Sequence, residues 1–262
     1  SGEGKSSSAA DAVVADINAA GGKAIANYDS VENGEAIIQA ALDHFGRIDI
    51  VVNNAGILRD RSFGNMSDED WDLVYRVHVL GAFKVTRAAW PIMRTQGYGR
   101  VVNTASAAGL YGAFGQANYA MAKLGLCGLT QTLAIEGRKY NIQANAIAPI
   151  AASRMTETVA EPTLLNALRP EFVTPLGLRL CAEHNQSSGD IFEVGGGWMA
   201  KLRWQRNAGI AFSPDNTLLP EHIDARWAEL NEFSDVEYPG EYADAAKAIK
   251  PVFENVGLTL PD

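Results

Sequence analysis

The 262-residue sequence predicts an α/β fold, a doubly wound parallel sheet covered by helices on both faces. Three observations carry that prediction. Helical and strand-like segments alternate almost without a break from Ala9 to about Gly196. Ile48–Val52 is a nearly continuous run of β-branched residues, the pattern of a strand buried on both faces. The small polar turn Asn53-Asn54-Ala55-Gly56 follows it, at the strand end where open parallel sheets bind their ligands. Alone, such a turn is as well read as an ordinary Asn- and Gly-rich loop.

Each element has its own local cause. Ala9–Ala20 carries apolar residues at helical spacing and stops at Gly21-Gly22, a C-cap. Lys23–Tyr28 reads as a short strand, and Val31–Phe45 as a helix closed by Gly46. Ile48–Val52 belongs in the centre of the sheet. Ser67 with Asp70 three positions on starts a helix whose periodicity continues to about Met93. Arg100–Thr104 is the next strand, Gln116–Arg138 a long helix and Ile142–Ile147 a further strand, with Pro149 as a break. After Gly197 the chain changes character. Trp198–Arg206 is basic and tryptophan-rich, and Pro214, Pro220 and Pro239 punctuate a polar tail with helical segments at Pro220–Phe233 and Glu241–Phe253. Residues 1–200 are therefore read as one α/β domain and 201–262 as a C-terminal helical extension, serving as an oligomer contact, a lid or a linker.

Charge and composition exclude several classes. Thirty-one acids against 22 bases leave a net charge of −9, which disfavours binding to a phosphate backbone over the surface as a whole. No apolar run is long enough for a membrane span, and the first residues have no apolar signal core. Cys127 and Cys181, far apart, read as reduced thiols. His44, His78, His184 and His222 show no ligand spacing, so no metal site is expected.

The chemistry concentrates on one helix. Tyr119 and Lys123, four apart, share a face of Gln116–Arg138. An ammonium beside a phenol favours the phenolate and makes tyrosine usable as an acid or base near neutrality. Ser106 lies just past the Arg100–Thr104 strand, where its loop can bring the hydroxyl to the phenol.

Asn53-Asn54-Ala55-Gly56, Ser106 and Tyr119-Ala120-Met121-Ala122-Lys123, in that order on those elements, resemble the short-chain dehydrogenase/reductase family over about residues 6–200. The resemblance implies a Rossmann-type fold and hydride transfer between a nicotinamide cofactor and a secondary alcohol or ketone. In that pattern Tyr119 is the acid/base, Ser106 holds the substrate oxygen, and Lys123 binds the nicotinamide ribose and depresses the tyrosine pKa. Within the family, Asn27–Val31, Gly56–Phe63, Gly109–Gly112, Phe114–Tyr119, Ser153–Glu157 and Phe192–Trp198 resemble the dehydrogenase units of peroxisomal multifunctional enzymes, and the stretch around Lys139–Pro149 with the tail after Arg206 resembles the fungal ones most. This implies NAD-dependent oxidation of (3R)-3-hydroxyacyl-CoA in peroxisomal fatty-acid β-oxidation, by a homodimer within a longer multifunctional polypeptide. By the same resemblance Asp29 and Ser30 contact the adenine, Asn54, Ala55 and Gly56 the adenosine ribose and nearby backbone, and Tyr119, Lys123 and Pro149 the nicotinamide end. Arg59, Arg61, Lys201, Arg203 and Arg206 are candidates for the coenzyme A phosphates, and Leu110, Phe114 and Met155 for the acyl chain.

Three features depart from the family pattern. Many members place an asparagine that holds a proton-relay water where this chain has His78; a histidine inside a helix is read either as structural or as that relay. The usual Pro-Gly is Pro149-Ile150, and isoleucine is costly at positive φ, so the backbone there is expected to take another course. The strand, glycine-rich turn, helix and second strand with which members begin have no counterpart here. The expectation is that this first strand–helix–strand unit is missing from the sequence as written, or is cleaved. Two rivals stay open: another short-chain reductase acting on 3-oxoacyl carrier protein or hydroxysteroids, and a non-catalytic dimerising scaffold.

Overall fold

The computed structural model describes residues 8–151, 167–213 and 216–254. Its framework is a five-stranded sheet in the order β1-β2-β3-β4-β5, with β1 to β4 parallel. The strands are Ile50–Asn53 (β1), Gly99–Thr104 (β2), Ile142–Pro149 (β3), Ile191–Gly195 (β4) and Trp198–Leu202 (β5). The helices are Ser8–Ala19 (α1), Gly34–Phe45 (α2), Asp68–Tyr75 (α3), Gly81–Gln96 (α4), Ala107–Tyr111 (α5), Ala117–Gly137 (α6) and Thr174–Cys181 (α7). The alternation legible in the sequence is thus a Rossmann-type α/β layering.

Neighbouring residues of a strand face opposite sides, and the two layers of core follow from this. Val51 and Val101 point to the layer of α2, α4 and α6, where Ile38, Ala89, Met93, Ala134 and Ile142 join them. Val102 points the other way, with Ile147 and Val194, under Leu180 of α7. At about 25 cal/mol per Å² of apolar surface, these two layers supply most of the drive to fold. Ser67 caps α3 as expected, its hydroxyl accepting from the Asp70 N–H at 3.1 Å. The helix so begun runs to Gln96, interrupted by a π-helical turn, Arg76–Leu80.

The structure corrects the position of the first strand. Among the described residues β1 pairs on one side only, with β2, and so stands at the edge of this sheet rather than at its centre; Ile50 and Val52 are 43% and 54% exposed while Val51 is buried. Ile50 and Val52 share the face that α7 covers at β2 and β3, and no described helix reaches it at β1. Lys23–Tyr28 is not a strand either. A strand exists through its ladder, and this stretch pairs with none; the Asn18 side chain accepts from the Ala24 N–H at 3.1 Å, and Tyr28 donates to Asp11.

The chain divides into two units, 1–201 and 202–262. In the second, Arg206–Asn207 (β6) pairs antiparallel with Val236–Glu237 (β7). The segment read as one helix over Pro220–Phe233 is two short ones, Pro220–Asp224 (α8) and Trp227–Leu230 (α9), followed by Ala243–Glu254 (α10).

Candidate active site

The site grows from the C-terminal ends of β1 and β2. Asn53 and Asn103 are register partners, and a buried chain of hydrogen bonds holds them. Asn53 donates to Thr86 of α4 at 2.9 Å and to Asn103 at 2.8 Å, and Asn103 donates to Thr130 of α6 at 2.8 Å. Buried amides with every partner in place specify one geometry. One residue further on, the Thr104 hydroxyl donates to the Asn54 side chain at 3.2 Å.

Ser106 is the N-cap of α5, its oxygen accepting from the Ala108 N–H at 3.2 Å. Tyr119 and Lys123 stand one turn apart on α6, as the spacing predicts. Close approach of α5 to α6 depends on Gly109, where a Cβ would lie 2.7 Å from the Cβ of Lys123. The Ser106 side chain acts on the Tyr119 phenol, favouring its ionised form. Lys123 is 3% exposed; its ammonium donates to the Thr104 carbonyl at 2.6 Å and lies 5.4 Å from the centroid of the Tyr119 ring. The structure therefore brings Ser106, Tyr119 and Lys123 together.

The electrostatics differ from the sequence reading on one point. Burial pushes the Tyr119 phenol above its ordinary value, Ser106 opposes this, and the Asp60 carboxylate adds to it. Lys123 donates its hydrogen bond to Thr104, and burial lowers it to about 8.

His78, in the π-helical turn, is 2% exposed and meets the Tyr119 ring edge-on, with centroids 5.3 Å apart at 89°. Its Nε2 lies 3.0 Å from the Ile57 nitrogen and 2.9 Å from the Ile57 oxygen. Burial, with the Lys123 charge behind it, lowers His78 to about 4, so the ring is neutral at physiological pH. A Cβ on Gly56 would lie 2.5 Å from its Cε1, which is why the turn after Asn54 and Ala55 ends in glycine.

Asp29 and Ser30 lie in an exposed turn and bond within it. Asp29 accepts from Asn27 at 3.0 Å and Asn33 at 3.2 Å, and Ser30 accepts from the Glu32 N–H at 3.3 Å. No described contact joins them to Tyr119 or Lys123. Pro149 ends β3 opposite Val194, and the strand pairing continues one step, the Ile150 N–H donating to the Val194 carbonyl at 2.8 Å. Ile150 keeps a negative φ, and Asn141 is the only non-glycine at positive φ among the described residues. Isoleucine is thus accommodated by extending the strand.

Among the residues considered for substrate, Phe114 is 96% exposed on a loop bounded by Gly112 and Gly115, both at positive φ, and the Gly115 carbonyl accepts from the Arg61 N–H at 2.8 Å. Leu110 is half-buried, and Met155 lies outside the described residues. Arg59 approaches Asp70 at 3.8 Å, Arg61 bonds the Asp60 carbonyl at 2.8 Å and Lys201 pairs with Asp190 at 2.7 Å. Arg203 and Arg206 belong to the second unit, over Tyr238 and against Glu237. No group of His, Cys, Asp or Glu suited to a metal occurs among the described residues, and both cysteines are free.

Sequence reasoning missed three contributors. Thr104 supplies the acceptor for Lys123, Asp60 faces Tyr119, and Asn118 is fully buried. The Asn118 side chain donates to the Arg59 and Asp70 carbonyls at 3.1 and 3.2 Å and accepts from the Tyr119 N–H at 2.8 Å, locking the start of α6 onto the loop after β1. A polar residue at the first turn of an apolar helix was the only signal for it.

A parallel sheet with these groups at its C-terminal edge defines a Rossmann-type α/β protein. The model of the short chain dehydrogenase family matches residues 4–163, and the chain belongs to that family. It is 61% identical over 239 residues to the peroxisomal hydratase-dehydrogenase-epimerase of Neurospora crassa, covering 91% of this chain and 27% of that protein. It is 56% identical over 256 residues to the peroxisomal multifunctional enzyme type 2 of Mus musculus, covering 97% of this chain and 35% of that one. The structure of full-length peroxisomal multifunctional enzyme type 2 from Drosophila melanogaster superposes with a TM-score of 0.84 at 39% identity, covering 95% of this chain and 44% of that chain. The chain thus spans less than half the length of each. No described helix is long and apolar enough to cross a membrane.

Proposed function

We propose that this chain is the dehydrogenase unit of a longer multifunctional polypeptide and oxidises (3R)-3-hydroxyacyl-CoA to 3-ketoacyl-CoA with NAD, in the peroxisome and as a homodimer. The observation that carries the reading is the half-buried Tyr119 phenol with Ser106 acting on it and the Lys123 ammonium 5.4 Å from its ring centroid. Similarity to relatives named peroxisomal multifunctional enzymes supports the substrate class and the compartment.

The residues fit a nicotinamide dinucleotide. Lys123 is a buried ammonium with three N–H donors and, among the described residues, a single acceptor, the Thr104 carbonyl, which suits a ribose diol. Asn54, Ala55, Gly56 and Pro149 offer small or backbone surface beside it, and Asp29 and Ser30 lie in the turn before α2. When bound, NAD supplies the acceptor for the substrate hydride. The chain's own part is to position and to move a proton. Ser106 holds the substrate oxygen by a hydrogen bond that strengthens as charge develops there. Tyr119 takes the hydroxyl proton, and its neutral phenol returns one in the reverse direction. Lys123 orients the ribose and faces the ring with positive charge. Leu110 and Phe114 are offered to the acyl chain.

The test is formation of NADH from NAD and a (3R)-3-hydroxyacyl-CoA by the full-length protein, followed by near-ultraviolet absorbance, against the Tyr119→Phe variant. Turnover abolished by the substitution supports the reading. Turnover only with carrier-protein thioesters or steroids, or none from folded protein that binds NADH, overturns it.

A further inference from the structure

The π-helical turn at Arg76–Leu80 contains no proline to explain it, and its central side chain is the one that meets Tyr119. Such turns widen a helix by one residue and occur mostly where a side chain must be aimed. Here the Gly81 N–H reaches back to the Arg76 carbonyl, and His78 is turned inward, under the loop that follows β1. We propose that His78 is a positioning residue that clips the Gly56–Ile57 turn to the Tyr119 ring through its Nε2, so that the cofactor-side loop and the acid/base residue keep a fixed spacing. This rests on the dehydrogenase reading above.

Four contacts support it independently of any proton-carrying role. The Nε2 atom lies within hydrogen-bond distance of both backbone groups of Ile57. Cε1 faces Gly56 where a methyl group would overlap it. The imidazole and the Tyr119 ring pack edge to face, an orientation aromatic pairs favour. The remaining nitrogen, Nδ1, is buried and has no hydrogen-bond partner among the described residues. Whichever neutral tautomer the ring adopts, Nε2 serves Ile57. The charged group facing it is Lys123, and Tyr119 is its titratable neighbour.

The experiment compares His78→Gln, His78→Asn and His78→Leu in the full-length protein, measuring NADH affinity by fluorescence, KM and kcat separately, the pH profile of kcat, and the wild-type imidazole by nitrogen NMR. Glutamine carries its amide at the reach of Nε2, whereas asparagine carries it at the reach of Nδ1. Leucine and asparagine are expected to weaken NADH binding about tenfold or more and to lower kcat, with glutamine restoring both, because a displacement near 1 Å is costly at a reacting centre. The pH profile keeps its shape in all three, and the imidazole stays neutral and in one tautomer through the range where an ordinary histidine titrates. Rescue by asparagine instead of glutamine, loss of an ionisation from the pH profile, or a leucine variant equal to wild type would each overturn the proposal. If leucine prevents folding, the glutamine and asparagine pair decides alone. The NADH and NMR arms read His78 even if no hydroxyacyl-CoA is turned over, so failure of the substrate reading is seen separately.

Discussion

Lys123 donates its ammonium proton to the backbone carbonyl of Thr104 at 2.6 Å, across the gap between α6 and the end of β2. A cation in the interior, held by a carbonyl with no carboxylate paired to it among the described residues, is costly for the fold. Burial accordingly lowers Lys123 from 10.5 to about 8. Between those values the unfolded chain binds more protons than the native one, so this group makes the protein more stable as pH rises through the window. The expected gain is on the order of 3 kcal/mol in the unliganded protein. Denaturant unfolding across that range, with Lys123→Met as the reference that lacks the slope, measures it.

Tyr119 stands above its ordinary pKa, chiefly through burial. Alcohol oxidation needs the phenolate, and carbonyl reduction needs the phenol. Oxidation should therefore accelerate toward alkaline pH while reduction holds its rate until the phenol itself ionises. Replacing the phenol in Tyr119→Phe should lower kcat about 10²- to 10⁴-fold with NADH affinity little changed. Initial rates in both directions across pH provide the check.

Asp60 raises Tyr119 and receives a hydrogen bond from Gln116 at 2.8 Å. In Asp60→Asn the negative charge is gone and that contact can persist. The alkaline limb of the oxidation profile should shift to lower pH, since the charge that disfavours the phenolate is removed. An unshifted limb would show that Asp60 acts only on the loop.

Gly109 allows α5 to approach α6 at Lys123. A methyl group there would lie 2.7 Å from the Lys123 Cβ and 2.8 Å from the Leu124 nitrogen, neither of which can swing aside. Gly109→Ala should cost about 1–3 kcal/mol in chemical denaturation and weaken NADH binding as Lys123 is displaced. Wild-type stability and affinity would mean that α5 floats more freely than its contacts indicate.

Ser67 caps α3 from an exposed position. Ser67→Ala should cost about 1 kcal/mol of stability and leave kcat and KM alone. It serves as the control that separates loss of fold from loss of chemistry in the other variants.

Much of this protein was determined by local sequence. The alternation of periods, the Ser67 cap, the glycine ends of α2 and α4, and the pairing of Tyr119 with Lys123 all act over a few residues, where backbone geometry leaves little choice. The candidate site was legible to the same extent, since strand ends and helix faces bring Asn54, Ser106, Tyr119 and Lys123 to one edge of the sheet. What only the tertiary structure decided depends on partners distant in the chain. Ile48–Val52 has the composition of a central strand, yet its place at an edge is set by what pairs beside it. Lys23–Tyr28 has strand propensity without a ladder. The carbonyl of Thr104, the clamp of Asn118, the carboxylate of Asp60 and the inward turn of His78 are through-space relations. Burial then sets the titration of Tyr119, Lys123 and His78, because the cost of a charge depends on how much water the whole fold removes from it.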